Sequence, residues 1–209
     1  MTRPTLTIDL LAVVENYRRL IAQVKPAEVS AVVKADGYGL GAKPVAQALA
    51  AAGCKTFFVA HVEEGAELRP AIANEKIYVL HGYTPAHKSA FAEHKLSPVL
   101  SSVGQLADWL KAGLRADCAL HLDTGMSRLG LSEADVATVE GALTPALVMS
   151  HLASADDPEH EKNQEQLAGF KTLSRRFSET PLSLAASGGC FLGSDYAFDL
   201  VRPGIALYG

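Results

Sequence analysis

The stretch Ala31-Val32-Val33-Lys34-Ala35-Asp36-Gly37-Tyr38-Gly39-Leu40-Gly41 decides between two architectures. Its apolar start reads as a buried strand, and its glycines read as a turn. Gly37, Gly39 and Gly41 alternate but lack the Gly-x-Gly-x-x-Gly spacing of a dinucleotide-binding turn. That argues against an open doubly wound sheet. Lys34 is the odd residue. An ammonium at the end of an apolar strand loses hydration, and a poorly hydrated lysine gives up its proton more readily. Such a lysine can form a Schiff base with an aldehyde and later act as a base. Taken alone, a strand-end lysine reaching solvent is the plainer reading. The rest of the chain argues otherwise.

Outward from this strand the same rhythm repeats. Short apolar runs occur at Ser30–Ala35, Thr56–Ala60, Ile77–Gly82, Ser97–Leu100, Cys118–Asp123, Ala146–Ala153, Leu182–Ser187 and Leu200–Arg202. Helix-like segments lie between most of them, at Ala42–Ala52, Val62–Ala71, Pro85–Glu93, Val103–Lys111, Ser132–Glu140 and Glu159–Phe177. Strands alternating with helices imply a parallel sheet. Eight of them with right-handed crossovers close into a (β/α)8 TIM barrel. An N-terminal strand or helix precedes strand one. After Thr5–Ile8, Asp9 can cap a helix over Leu10–Val24, whose apolar spacing is helical. Nothing follows strand eight, so this helix can fill the missing helical position.

Composition sets the class. The 209 residues are 48% hydrophobic and 20% charged, which suits one soluble globular domain and excludes a disordered chain. The net charge of −4 and sparse aromatics exclude a nucleic-acid groove. No apolar run reaches membrane-spanning length, and Met1–Thr5 opens no signal peptide. Cys54, Cys118 and Cys190 are scattered and odd in number, without metal-ligand spacing. They read as reduced thiols of a cytoplasmic protein, with no metal site.

In a barrel, chemistry belongs at the C-terminal strand ends. Lys34 and Tyr38 follow strand one, Asp123 and Arg128 strand five, His151 strand six, Ser187 strand seven and Arg202 strand eight. Small residues at Ser187–Gly189 let a ligand approach the backbone. Pro203 would be the first residue of a short helix through Tyr208, whose free amides at Gly204 and Ile205 suit an anion. A reactive lysine, a phosphate cradle and a nearby cation suggest pyridoxal 5'-phosphate (PLP). Arg202, which cannot accept a proton, would keep the pyridine nitrogen unprotonated. Its bland alternative is an ion pair with Asp199.

These segments resemble the alanine racemases. Val32–Gly41 resembles the family's cofactor-lysine signature, and Leu122–Gly130 its substrate-arginine segment. Ser150–Asp156 and Val201–Gly209 match two more, in the family's order. The resemblance implies a PLP-dependent isomerase interconverting L- and D-alanine for peptidoglycan synthesis. It implies that Lys34 is the Schiff-base lysine and one of two bases. Tyr38, Ser187, Gly204 and Ile205 would hold phosphate, and Arg202 would bond the pyridine nitrogen. Arg128 would touch the cofactor's phenolic oxygen and the substrate carboxylate region. His151 would lie against the ring. Asp123 would order the Arg128 loop.

Two positions depart from the pattern. His121 stands where many members have a lysine, carbamylated in some, so a water or small anion beside Arg128 is expected to replace it. Ala186 stands where asparagine is common. The family also adds a C-terminal β-domain that supplies the second base across a homodimer. The chain is therefore expected to be a PLP-binding barrel domain over 1–209 that lacks this domain and is impaired as a racemase. The alternatives are a stand-alone PLP-binding barrel and a related amino-acid racemase.

Overall fold

The computed structural model describes residues 5–114 and 117–209. Met1–Pro4, the start of the stretch tested above for a signal peptide, lie outside the described residues.

The strands are β1 (Glu28–Val29), β2 (Ala31–Val32), β3 (Thr56–Val59), β4 (Lys76–Val79), β5 (Ser97–Leu100), β6 (Ala119–His121), β7 (Leu147–Met149), β8 (Leu182–Ser183) and β9 (Leu200–Val201). The helices are α1 (Leu10–Val24), α2 (Lys34–Tyr38), α3 (Ala42–Ala51), α4 (Val62–Leu68), α5 (Lys88–Glu93), α6 (Val103–Ala112), α7 (Glu133–Val139), α8 (Lys162–Ser174) and α9 (Ile205–Tyr208). Strands β2 to β8 form one curled parallel sheet in chain order, and β1 pairs with β9 in a second, two-stranded parallel sheet.

Alternation along the strands builds two apolar layers. Val32, Phe58, Tyr78, Val99, Ala119, Leu147 and Met149 pack together on the concave side. Phe57, Ile77, Val79, Leu120 and Val148 join the helices in the larger core. Burial on both faces explains why the strands read as nearly continuous apolar runs.

Helix α1 has the expected bounds. Asp9 caps it, its carboxylate accepting from the amides of Leu11 (2.9 Å) and Ala12 (3.2 Å). It packs against β1, α3 and α9. Tyr17 donates to the Val29 carbonyl (3.2 Å) and Asn16 to that of Leu207 (3.1 Å), which ties both ends of the described chain together.

Three expectations need correction. Among the described residues Thr5–Ile8 forms no strand, and a helix alone precedes the sheet. The first strand divides at Ser30, whose amide and hydroxyl both bond the Val201 carbonyl, so β1 faces β9 while β2 faces β3. Its end, read as strand to Ala35, turns at Lys34 into α2, where Ala35, Asp36 and Gly37 take positive φ. Finally, α9 begins at Ile205 and not at Pro203, whose carbonyl instead accepts from the Val32 amide (3.0 Å).

Candidate functional site

A cavity of about 630 Å³ lies at the C-terminal ends of the strands. Lys34, Tyr38, Arg128, His151, Ser187, Arg202, Gly204 and Ile205 all line it, from five separate loops, and so does His121. A second concavity, about 560 Å³, lies at the opposite strand ends around Glu28, Tyr78 and Asp199, and holds none of them.

Lys34 enters at the end of β2. The turn behind it is held by the Glu64 carboxylate at the start of α4. This carboxylate accepts from the amides of Ala35 (2.7 Å), Ala60 (2.6 Å) and His61 (3.2 Å), joining the first strand end to the second. Asp36 accepts from the Ala42 amide (2.8 Å) and starts α3. Sequence reading missed Glu64. An acidic residue in a helix's first turn was the available signal.

Tyr38 stacks obliquely on Tyr208 at 4.9 Å, and burial raises its pKa. Its hydroxyl lies over Gly204, where any Cβ would collide with it. Ser187 Oγ accepts from the amides of Gly204 (2.9 Å) and Ala206 (3.2 Å), which fixes α9 beside the strand-seven loop. The Ile205 amide has no partner among the described residues. The Ser187 hydroxyl, the Tyr38 phenol and the Ile205 amide thus lie together at one edge of the cavity, a donor set suited to a phosphate, with the Gly204 amide engaged by Ser187.

Arg202 is 3% exposed. It forms no pair with Asp199, whose carboxylate accepts from the Leu182 amide. Its Nη1 donates to the carbonyl and hydroxyl of Ser183, and its Nη2 to the carbonyls of Ser150 and Leu184. Burial lowers its pKa to about 10. Nε has no partner among the described residues, although Arg202 lines the cavity. One donor is therefore left for a ligand atom.

Arg128 sits on a loop closed at its base by the Asp123 amide on the Leu131 carbonyl (2.9 Å) and the Leu131 amide on the His121 carbonyl (2.8 Å). Within it the Asp123 carboxylate accepts from the amides of Gly125 (2.9 Å) and Ser127 (3.0 Å). Burial pushes the Asp123 pKa up, but the amides of Ser127, Gly125 and Met126, with His121, bring it below its ordinary value. Asp123 orders the loop, as expected. Arg128 itself is exposed, and no described residue hydrogen-bonds or ion-pairs its guanidinium.

His121 and His151 face this cationic wall. Burial first, then Arg202 and Arg128, bring His121 from 6.5 down to about 4. The same causes in the same order, with His121 and Lys34 added, bring His151 to about 3. Both rings are therefore neutral near pH 7. The two arginines and Lys34 make the site strongly attractive to an anion.

The comparisons with known proteins agree with this geometry. The family described as "Alanine racemase, N-terminal domain" matches residues 8–209. Alanine racemase of Rhizobium meliloti is 48% identical over 98% of this chain and 56% of its own length. The structure of alanine racemase from Bartonella henselae, with covalently bound pyridoxal phosphate, superposes with a TM-score of 0.91 at 42% identity, over 97% of this chain and 62% of that one. That of the biosynthetic alanine racemase from Pseudomonas aeruginosa gives 0.90 at 32% identity, over 97% and 58%. The chain thus spans little more than half the length of these relatives.

Proposed function

We infer that this chain, which belongs to the alanine racemase N-terminal domain family, carries pyridoxal phosphate on Lys34 and serves the interconversion of L- and D-alanine. The observation that carries the reading is the convergence of Lys34, Tyr38, Arg128, His151, Ser187, Arg202, Gly204 and Ile205 on one cavity. We also read the curled sheet as a closed (β/α)8 barrel forming one cofactor domain over 1–209. The β1–β9 pairing and the parallel bridge between Ala186 and Arg202 support that closure.

The residues fit the cofactor. Gly204 leaves room for Tyr38, and among the described residues neither the Ile205 amide nor Arg202 Nε has a partner, although both residues line the cavity. Ser187, Tyr38, Gly204 and Ile205 would hold the phosphate, and Arg202 the ring nitrogen. When bound, the cofactor withdraws electrons from the α-carbon of an amino acid and so acidifies its proton. Lys34 would take and return that proton from its own side. Arg128 would pair with the substrate carboxylate. Neutral His151 would pack beside the ring without adding a second positive charge. Arg202 always donates and never gives up its proton to the ring, so electron withdrawal stays moderate and favours proton return over transamination.

Alanine as substrate, a homodimer as the working assembly, a cytoplasmic location and a role in supplying D-alanine for peptidoglycan belong to the same proposal. No described helix is long and apolar enough to cross a membrane. The test is direct. Adding pyridoxal phosphate should give a visible absorbance band that Lys34→Ala abolishes. Alanine of the hand that presents its α-proton to Lys34 should then exchange that proton in D2O, and the other hand much more slowly. A band without any exchange would favour the stand-alone PLP-binding barrel.

A further inference from the structure

The strand ladders stop short of the site. The last main-chain bonds of β6 and β7 are the Leu122 amide on the Met149 carbonyl and the Ser150 amide on the Ser183 carbonyl. Beyond them the His151 segment and the Arg128 loop have no ladder holding them together. A side chain from α8 fills that gap.

Gln166 is 0% exposed. Its Oε1 accepts from the Ala153 amide (2.8 Å). Its Nε2 donates to the His151 carbonyl (2.9 Å) and to Thr124 Oγ1 (3.3 Å). Thr124 Oγ1 also shares a hydrogen bond with Ser150 Oγ (2.8 Å), and the Ser150 carbonyl accepts from Arg202. The loop rests on the same helix face. A Cβ on Gly125 would lie 3.2 Å from Lys162 Nζ and 3.9 Å from Gln166 Cγ, and one on Gly169 3.8 Å from Thr124 Cβ. Positions 162, 166 and 169 share one side of a helix. Asn163, one turn before, donates to the carbonyls of Ser154 (3.2 Å) and Asp157 (2.8 Å). Two buried amides of α8 therefore grip the whole segment after β7.

We propose that Gln166 is a positioning residue that fixes the spacing between His151 and Arg128 across the cavity, acting through the His151 carbonyl and the Thr124 hydroxyl. Gln166 does not line the cavity. Its importance for pyridoxal phosphate rests on the function proposed above, but its hold on His151 does not. Leucine at 166 would keep the volume and remove every bond. Glutamate would keep the acceptor toward Ala153 and lose both donors. Valine at 124 would cut the link to Ser150 while leaving the His151 bond intact.

The test uses Gln166→Leu, Gln166→Glu, Thr124→Val and the Thr124→Val/Gln166→Leu double variant. Leu173→Ala, a buried packing change on the same helix, is the control for general destabilisation. In the cofactor-free chain, the His151 imidazole NMR resonances should move in both Gln166 variants and stay in place in the control. With pyridoxal phosphate added, each single variant at 124 or 166 should weaken binding about tenfold, and the double variant should be within about twofold of the weaker single, because both changes cut one chain of bonds. Unmoved His151 resonances, or losses that simply multiply, overturn the proposal. If the parent chain takes up no pyridoxal phosphate, the proposed function fails, while the cofactor-free resonances still decide whether Gln166 positions His151.

Discussion

Gly204 lies directly against Tyr38: a Cβ at position 204 would stand 2.8 Å from the ring carbon bearing the Tyr38 hydroxyl. The close approach of the Tyr38 ring leaves no room for a side chain at position 204. Gly204→Ala should therefore displace Tyr38 and weaken pyridoxal phosphate binding about tenfold with little loss of stability. Adding Tyr38→Ala should relieve the collision, leaving the double variant no weaker than Tyr38→Ala alone. Absorbance titration of the cofactor reads both.

Acid should destabilise the fold through buried His121 and half-buried His151. In the unfolded chain each takes a proton near 6.5; in the folded chain His121 does so near 4 and His151 near 3. The unfolded state thus binds more protons below 6.5, and stability falls as pH falls. The contribution is complete above 6.5 and is lost at about 1.4 kcal/mol per pH unit per histidine, down to about 4 for one and about 3 for the other. Urea denaturation at several pH values should show this slope. His121→Asn should remove about half of it between pH 6 and 4.5.

Glu64→Gln replaces a carboxylate that accepts from three amides with a group carrying a single acceptor and two donors. One or two of these exposed or part-buried amides would exchange their partner for water, costing about 0.5–1.5 kcal/mol. The effect should concentrate at the Lys34 turn. Amide exchange should speed up at Ala35 and Ala60 and not at β6, and covalent uptake of pyridoxal phosphate should slow.

Asp123→Ala frees the amides of Gly125 and Ser127, and Ser127 holds φ 57° without other support from a carboxylate. The loop should loosen, with a stability loss of about 2 kcal/mol. Arg128-dependent binding of a carboxylate should weaken with it, and so should cofactor binding, since this loop carries Arg128 into the same cavity. Thermal melting and titration with alanine separate the two.

How far the sequence could be read depends on how locally each feature is encoded. Helix α1 was fully legible because one amphipathic stripe and one cap, Asp9, lie within the segment itself. The strands were legible as apolar runs, but their ends were not. A ladder ends where its neighbour ends, and the neighbour lies tens of residues away. The cavity residues were legible through glycine, lysine and arginine placed after apolar runs. Glu64 and Gln166 were not, because each acts on backbone far along the chain, Glu64 at Ala35 and Gln166 at Thr124 and His151. A buried glutamine on a helix reads as ordinary surface until its partners are seen. The turn after Lys34 was hidden for another reason: glycine announces a positive φ, whereas Ala35, Asp36 and Tyr38 do not.

That turn has a stereochemical consequence. Ala35, Asp36, Gly37 and Tyr38 have φ of 53°, 51°, 63° and 57°, and the turn is closed by the Gly37 amide on the Val33 carbonyl (2.9 Å) and the Gly39 amide on the Ala35 carbonyl (3.0 Å). It is one turn of a left-handed helix, a form that disfavours L-residues by about 1–2 kcal/mol each and suits their mirror images. Ala35 is exposed. A chain assembled by chemical ligation with D-alanine at position 35 should therefore be more stable than the all-L chain by about 1 kcal/mol. The backbone that presents Lys34 is coiled in the hand natural to the enantiomers of its own residues.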